Sequence, residues 1–189
     1  MNEQVTLLNS FTYDNSLNPV LNNINPKNIS VSGDVVITIE GSAFQNGVHL
    51  PIVTIGDKVC GYISHNATHI QCIAPDNHVG MMEVVVDVPQ RGSTKTMINY
   101  FLNVFDYNPK CGSLVGGTSV TINGEGFGDN ATNIEVLIGK FPCKVVNNTQ
   151  TEINCVTMSA TKTISVDNSG THSGKLNFTI FRLNVSLYH

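Results

Sequence analysis

The sequence predicts an all-β fold built from two tandem β-sandwich units, and three observations support this prediction. A long pattern occurs twice, with residue numbers that differ by 83. Short runs rich in Val, Ile, Thr and aromatic residues are separated by Gly, Pro, Asn and Asp, as strands are separated by turns. No stretch has a sustained helical period. The fold class therefore follows from periodicity and repetition together.

The repeat is clearest at 116–127, which reads Gly-Gly-Thr-Ser-Val-Thr-Ile-Asn-Gly-Glu-Gly-Phe. It returns in altered form at 33–44, as Gly-Asp-Val-Val-Ile-Thr-Ile-Glu-Gly-Ser-Ala-Phe. The register also holds through the cysteines without a gap, so that Cys143 falls on Cys60 and Cys155 on Cys72. A match across a turn, a strand and two cysteines indicates two copies of one unit.

The predicted strands of unit one follow one another at short intervals, and unit two repeats the series. In unit one they are 19–21, 35–39, 52–55, 59–63, 69–73, 82–88 and 97–104. About seven short strands with regularly spaced turns predict a sandwich of immunoglobulin-like topology. The immunoglobulin sequence pattern itself is absent, because the chain has no Trp and its paired cysteines are close in sequence.

A recurring pattern, Leu-Asn-x-x-x-Tyr, suggests where the units end. It occurs at 8–13, 102–107 and 183–188. Because two occurrences fall where a unit finishes, we interpret residues 1–17 as the closing strand of a preceding unit or a linker. The alternative is an unrelated β segment. The predicted units are then 18–104 and 105–189.

The passage from unit one to unit two is too short to act as a flexible coil. The closing strand of unit one leads directly into Asn108-Pro109, the counterpart of Asn25-Pro26. We therefore predict a stiff rod of two domains, with Phe105 and Tyr107 packed at the joint.

The glycines near the end of the repeated motif predict a tight core turn. Gly124 and Gly126 permit a bulge or a positive φ, so that Phe127 turns back into the core. Phe44 is expected to do the same in unit one. A phosphate-binding loop is the competing interpretation, but such a loop needs a following helix and a Lys at a fixed position, and the sequence has neither.

The spacing of the cysteines favours two disulfides. Cys60 and Cys72 are separated by the same distance in sequence as Cys143 and Cys155, and each pair would lie on neighbouring strands. Reduced core cysteines and half of a zinc site are the alternatives; no histidine pattern repeats between the units to support zinc. Cys111 is left over, either free or paired with a neighbouring unit.

Sequons for N-linked glycosylation begin at six asparagines: Asn28, Asn66, Asn130, Asn147, Asn177 and Asn184. A chain so rich in Asn, Ser and Thr produces several sequons by chance, so their number is weak evidence. Two of them fall in the loops between the paired cysteines, where a glycan is sterically acceptable. Sequons together with paired cysteines predict an oxidising, extracellular compartment.

Composition and the scatter of ionisable groups exclude several functional classes. The net charge is −4, and the ten Lys and Arg residues form no basic stripe, so nucleic acid is not an expected partner. No apolar run approaches the ~20 residues of a membrane span, so direct membrane insertion by this segment is not expected. No combination of Ser, His and Asp recurs in both units, so we expect no catalytic site and no cofactor. Asp106, Glu125 and Asp129 leave a calcium ion as an alternative to solvated loop carboxylates.

Residues 108–127 carry a resemblance to a known family: Asn-Pro-x-Cys-Gly-Ser-x-x-Gly-Gly-Thr-x-Val-Thr-Ile-x-Gly-x-Gly-Phe, followed by Ile138-Gly139-x-x-x-Cys143 and Cys155. The pattern resembles an IPT/TIG domain, an immunoglobulin-like fold of the E-set type found in plexins and in transcription factors. Tandem units with this cysteine pair are most similar to the arrays of fibrocystin and fibrocystin-like proteins.

The resemblance implies a non-enzymatic ectodomain segment of a large single-pass cell-surface protein. Proteins of this kind form part of the surface coat of cells, including that of cilia and stereocilia. Its expected roles are those of a spacer and an adhesion or protein-interaction surface. The expected partners are neighbouring units of the same chain, other protein domains or a second copy of the chain. Alternatives are the stalk of a plexin-like, growth-factor-receptor-like or amoebal adhesion receptor, and, in another class, an accessory carbohydrate-binding domain of a secreted enzyme.

Overall fold

A computed structural model of the protein describes residues 14–45, 47–128, 134–159 and 178–182. Within these ranges the regular structure is β-strand, apart from one 3-10 turn at Asn15–Leu17. The all-β prediction is therefore confirmed. The closing strand predicted within 1–17 falls mostly on residues 1–13, which lie outside the described residues.

Unit one contains nine strands in two sheets. They are β1 (Val20–Asn25), β2 (Asn28–Ser30), β3 (Val36–Ser42), β4 (Ile52–Ile55), β5 (Lys58–Val59), β6 (Gly61–His65), β7 (His69–Ile73), β8 (Gly80–Val88) and β9 (Gly92–Phe101). One sheet has the order β1-β3-β7-β6 and the other β2-β9-β8-β4-β5. All pairs are antiparallel except β2 with β9, which is parallel.

Alternation along the strands explains how these two sheets form a core. In β3 the side chains of Ile37 and Ile39 are fully buried, whereas those of the alternate residues Val36 and Thr38 are not. A strand presents successive side chains to opposite faces, so one face of each sheet is apolar and packs on the other. The core of unit one closes around Phe44 and Tyr100, both 0 % exposed.

Unit two has six described strands in one sheet. They are β10 (Asn103–Asn108), β11 (Ser119–Glu125), β12 (Ile134–Ile138), β13 (Phe141–Asn148), β14 (Glu152–Thr157) and β15 (Phe178–Arg182), in the order β10-β11-β14-β13-β12-β15. Strand β13 is continuous and joins β14 to β12. In unit one the corresponding segment is divided at Cys60 into β5 and β6, which belong to different sheets.

The repeat found in the sequence extends to the hydrogen-bonding register. Val20 pairs with Ser42 and Asn103 pairs with Glu125, again offset by the same shift. Both opening strands carry a bulge at the same place, at Asn22 in β1 and at Phe105 in β10. The two Asn–Pro bonds are both cis. The opening strand pair therefore has the same register and the same bulge in both units.

The predicted core turn is confirmed in both units. Phe127 is 0 % exposed, and an added Cβ at Gly124 would lie 2.4 Å from its Cζ atom. Gly126 has φ +83°, and its counterpart Ala43 has φ +60°. The turn therefore keeps the same left-handed geometry where unit one has Ala instead of Gly, although that region is strained for Ala.

One strand assignment differs from the sequence-based prediction, and one strand pairing differs between the units. The pattern at 102–107 does not close unit one: β9 ends at Phe101, and β10 opens unit two by pairing with β11. The last described strand of unit two, β15, pairs with β12. In unit one the strand equivalent to β12 is β4, and it pairs with β8. Pairing between strands depends on which edges meet, and spacing along the chain does not reveal it.

Candidate functional site: the joint between the units

A single residue, Leu102, connects the last strand of unit one to the first strand of unit two. Its half-buried side chain packs against the hydrophobic cores of both units. A connection of one residue, held by apolar contacts on both sides, leaves little backbone freedom between the units. The joint is therefore a packed contact, and Leu102 is its central residue.

A hydrogen bond between the units lies beside this contact. Ser30 Oγ donates to the carbonyl oxygen of Gly126 at 2.8 Å, and it accepts from the Ser32 amide at 3.1 Å. Ser30 Oγ also lies 2.6 Å from Ser32 Oγ. Because the Gly126 carbonyl oxygen can only accept, the single Ser30 proton forms the bond across the joint when Ser32 Oγ donates to Ser30 Oγ. An added Cβ at Gly126 would lie 2.4 Å from the carbonyl oxygen of Phe101, so the backbones of the two units approach closely here.

The two units also enclose an open groove of about 670 Å³ at this position. Unit one contributes Asn28, Ser30 and Asp34, and unit two contributes Glu125, Gln150 and Thr151 at the ends of its strands. No Lys or Arg lines the groove. Its walls therefore offer amide, hydroxyl and carboxylate groups in a weakly acidic setting, which suits an uncharged polar ligand.

The prediction that Phe105 packs at the joint is wrong. Phe105 is 67 % exposed, because the bulge in β10 turns it out at the edge of the sheet. Tyr107 packs against the core of unit two, with Lys110 Nζ 3.9 Å from its ring centre. The sequence shows Leu102 as an apolar residue within the predicted strand 97–104, but it does not show that this side chain contacts both cores.

Both predicted disulfides are present in the structure. The Cα atoms of Cys60 and Cys72 are 5.6 Å apart, and those of Cys143 and Cys155 are 5.5 Å apart. All four residues are at most 3 % exposed. Cys111 is free and exposed. The disulfides thus fasten neighbouring strands within the core of each unit and contribute nothing to the joint.

The described sequons occupy different settings. Asn66 is exposed at the turn between β6 and β7, and its Oδ1 accepts from the amides of Thr68 and His69, both at 2.8 Å. Asn147 lies on strand β13 and not in a loop as predicted, although it is exposed. Asn28 is exposed on the edge strand β2 and lines the joint groove. The predicted sites Asn130, Asn177 and Asn184 lie outside the described residues.

Two ionisable groups with shifted pKa values, Asp106 and Tyr100, take part in structural hydrogen bonds. A hydrogen bond from Lys110 lowers the pKa of the Asp106 carboxyl, at an exposed site. Burial raises the pKa of the Tyr100 hydroxyl, which donates to the Pro75 carbonyl oxygen at 2.8 Å. Among the residues that the structure describes, no three metal-ligating side chains form a cluster. No helix in that part of the chain is long and apolar enough to cross a membrane.

These observations define a class of protein: a tandem pair of disulfide-bonded, immunoglobulin-like β-sandwiches joined through one packed residue. The family model for the IPT/TIG domain matches residues 19–101 and again 103–180. The chain belongs to the IPT/TIG family. The second match begins where β10 begins, two residues before the boundary at 105 that the sequence suggested.

The resemblance to fibrocystin-like proteins is confirmed by comparison with curated relatives. Fibrocystin-L from Mus musculus is 35 % identical over 175 residues, which cover 89 % of this chain and 4 % of that protein. Plexin-A4 from Homo sapiens is 29 % identical over 164 residues, covering 79 % and 8 % respectively. The chain therefore spans a small part of the length of these relatives.

Among solved structures, the full extracellular region of Plexin A4 is similar with a TM-score of 0.41 and 21 % identity. The match covers 87 % of this chain and 17 % of that one. A likeness at this level adds nothing to the family assignment, which rests on the sequence match.

Proposed function

We propose that this segment is a non-catalytic, extracellular spacer in a large cell-surface protein, and that its joint holds successive units in a fixed relative orientation. The observation that carries the proposal is Leu102, which is packed on both cores and is the whole of the linker. The bond from Ser30 to Gly126 supports the same geometry. A rod of this kind would position other parts of its parent protein at a set distance from the membrane.

The extracellular part of the proposal is supported by the chemistry of the chain and by its relatives. Two buried disulfides persist in oxidising compartments and are rare in the cytosol. The curated relatives include Fibrocystin-L and Plexin-A4. A coat of the fibrocystin-like kind, as on cilia or stereocilia, is the specific setting we propose, anchored elsewhere in the parent chain.

The edge strand beside the joint would also provide a surface for contact with other proteins. The edge strand β10 exposes Phe105 (67 %) and Val104 (41 %). An exposed aromatic residue on an edge strand is a common anchor for another protein domain. Contact with other domains, including adhesion between copies of the protein, is therefore part of the proposed function.

We expect the chain secreted from mammalian cells to carry two disulfides, one free thiol at Cys111 and an N-glycan on Asn66. The Asn66 turn is exposed and its Oδ1 is already engaged, so the amide nitrogen is presented to solvent. Peptide mapping by mass spectrometry, with and without reduction and glycan release, measures all three. Free thiols at the four core cysteines together with bare sequons would contradict the extracellular assignment.

The rigid-spacer proposal predicts that truncating Leu102 loosens the joint. The variant Leu102→Ala removes the apolar contact with both cores, which is worth about 1–2 kcal/mol for a half-buried side chain. We expect small-angle X-ray scattering to fit a single orientation of the units for the wild type and to require a broad distribution for the variant.

Gly126→Ala is a second variant that tests the joint, and Ala43 at the equivalent position of unit one provides the comparison. Ala is accepted at the equivalent Ala43, so the turn tolerates it, but the added Cβ at 126 meets the Phe101 carbonyl oxygen of unit one. This variant should also broaden the distribution, whereas truncating an exposed side chain by Val59→Ala should not. A wild-type chain that itself requires many orientations would refute the fixed joint.

A further inference from the structure

We propose that the groove at the joint holds the N-linked glycan of Asn28, whose first N-acetylglucosamine bridges unit one to unit two. The inference rests on the proposed extracellular location, since the sugar is added only in the secretory pathway. It goes further by assigning a ligand to the groove and a mechanical role to one particular sequon.

The position of Asn28 carries the first step. Asn28 lies on β2, the edge strand of its sheet, and its sequon is Asn28-Ile29-Ser30. Asn99 Nδ2 donates to Asn28 Oδ1 at 3.1 Å, which fixes the amide plane. Among the described residues no partner is recorded for Nδ2, the atom that bears the sugar, and Asn28 is itself part of the groove wall. A sugar on Nδ2 therefore begins at the groove.

The chemistry of the opposite wall carries the second step. Glu125, Gln150 and Thr151 of unit two line the groove and carry carboxylate, amide and hydroxyl groups. Glu125 Oε1 also accepts from Asn103 Nδ2 at 2.7 Å. N-acetylglucosamine is uncharged and rich in hydroxyl donors, which such groups accept. The absence of Lys and Arg from the lining disfavours an anionic ligand. At about 670 Å³ the groove has the size of a small-ligand site, large enough for one or two sugar rings.

The repeat provides a comparison within the chain. The counterpart of Asn28 in unit two is Cys111, so the second unit has no sequon at this position. The sequon at Asn66 lies on a turn of unit one that does not line the groove. Of these two sequons, the one at Asn28 lines the groove between the units, and the one at Asn66 serves as its control.

The test variant must remove the glycan without breaking the Ser30 hydrogen bond, because Ser30 is both part of the sequon and the donor of that bond. Asn28→Gln removes the glycan and keeps the bond from Ser30 Oγ to Gly126. Asn66→Gln removes a glycan of the same kind elsewhere. Each full-length chain is secreted from mammalian cells and trimmed enzymatically to single N-acetylglucosamine residues.

Hydrogen exchange of unit two is then measured at the Gly124 and Phe127 amides, which donate to the carbonyl oxygens of Thr151 and Gln150. We expect exchange there to be about fivefold faster in Asn28→Gln than in the wild type, the effect of roughly one net hydrogen bond. Asn66→Gln should leave it unchanged.

Three results would overturn the inference, and they differ in what they say of the proposed function. If Asn66 carries a glycan and Asn28 does not, the glycan proposal is refuted, whereas the proposal of an extracellular spacer still holds. Asn28 modified with equal exchange in all three chains would show that the sugar projects into solvent. A chain with every sequon bare and free thiols at the four core cysteines would remove the premise of both proposals.

Discussion

Gly124→Ala is expected to destabilise unit two by about 3 kcal/mol, at the upper end of what overpacking costs. The added Cβ would lie 2.1 Å from the Asn103 carbonyl oxygen and 2.4 Å from Phe127 Cζ. Asn103 pairs with Glu125 at the start of β10, and Phe127 is fully buried, so neither neighbour can move without losing contacts of its own. For a domain of this size the loss corresponds to a fall in Tm of roughly 12–24 °C.

Unit one offers the same experiment at Gly41, where an added Cβ would lie 2.0 Å from the Val20 carbonyl oxygen and 2.4 Å from Phe44 Cζ. Differential scanning calorimetry should show each substitution lowering the transition of its own unit. Gly61→Ala is the control, because its nearest neighbour, Ile73 Cβ, lies at an ordinary 3.4 Å. If the three variants lowered the transition temperature equally, close packing of the Phe rings would not be what requires glycine at positions 124 and 41.

Removal of the Cys143–Cys155 disulfide by a double substitution to Ala should cost unit two about 3 kcal/mol or more. The bridge closes a short loop, with a sequence separation of 12, for which the chain-entropy estimate is about 3 kcal/mol. Both residues are also core members, at 3 % and 0 % exposure, so truncating them adds a packing loss. Small disulfide-bonded domains commonly fail to fold at 37 °C after such a change.

Urea unfolding followed by far-ultraviolet circular dichroism would measure this effect, with the Cys60–Cys72 double variant as the corresponding change in unit one. Cys111→Ala is the matched control, because Cys111 is exposed and unpaired. We expect it to change the unfolding free energy by less than about 0.5 kcal/mol. A loss at Cys111 equal to that of the double variant would indicate that the disulfides are not what stabilises these units.

The repeat was visible because the two copies share residues whose roles are local. Cysteines on adjacent strands, a glycine under a phenylalanine ring and alternating Val and Ile side chains act within a few residues or one strand pair. Even the exception fits this account: Ala43 occupies the left-handed position of Gly126 because the surrounding register imposes the turn. One local feature still misled, since the pattern at 102–107 looked like a strand end and proved to be a strand beginning.

By itself the sequence determined the fold class and the repeat, predicted the buried turn phenylalanines and favoured both disulfides, since each depends on spacing along the chain. The tertiary structure alone decided the joint. Leu102 touches both cores, Ser30 reaches Gly126, and Phe105 is turned out to solvent by a bulge. The physical reason is that these contacts depend on how two folded units are oriented, and residues such as Ser30 and Gly126, 96 apart in sequence, carry no shared local pattern.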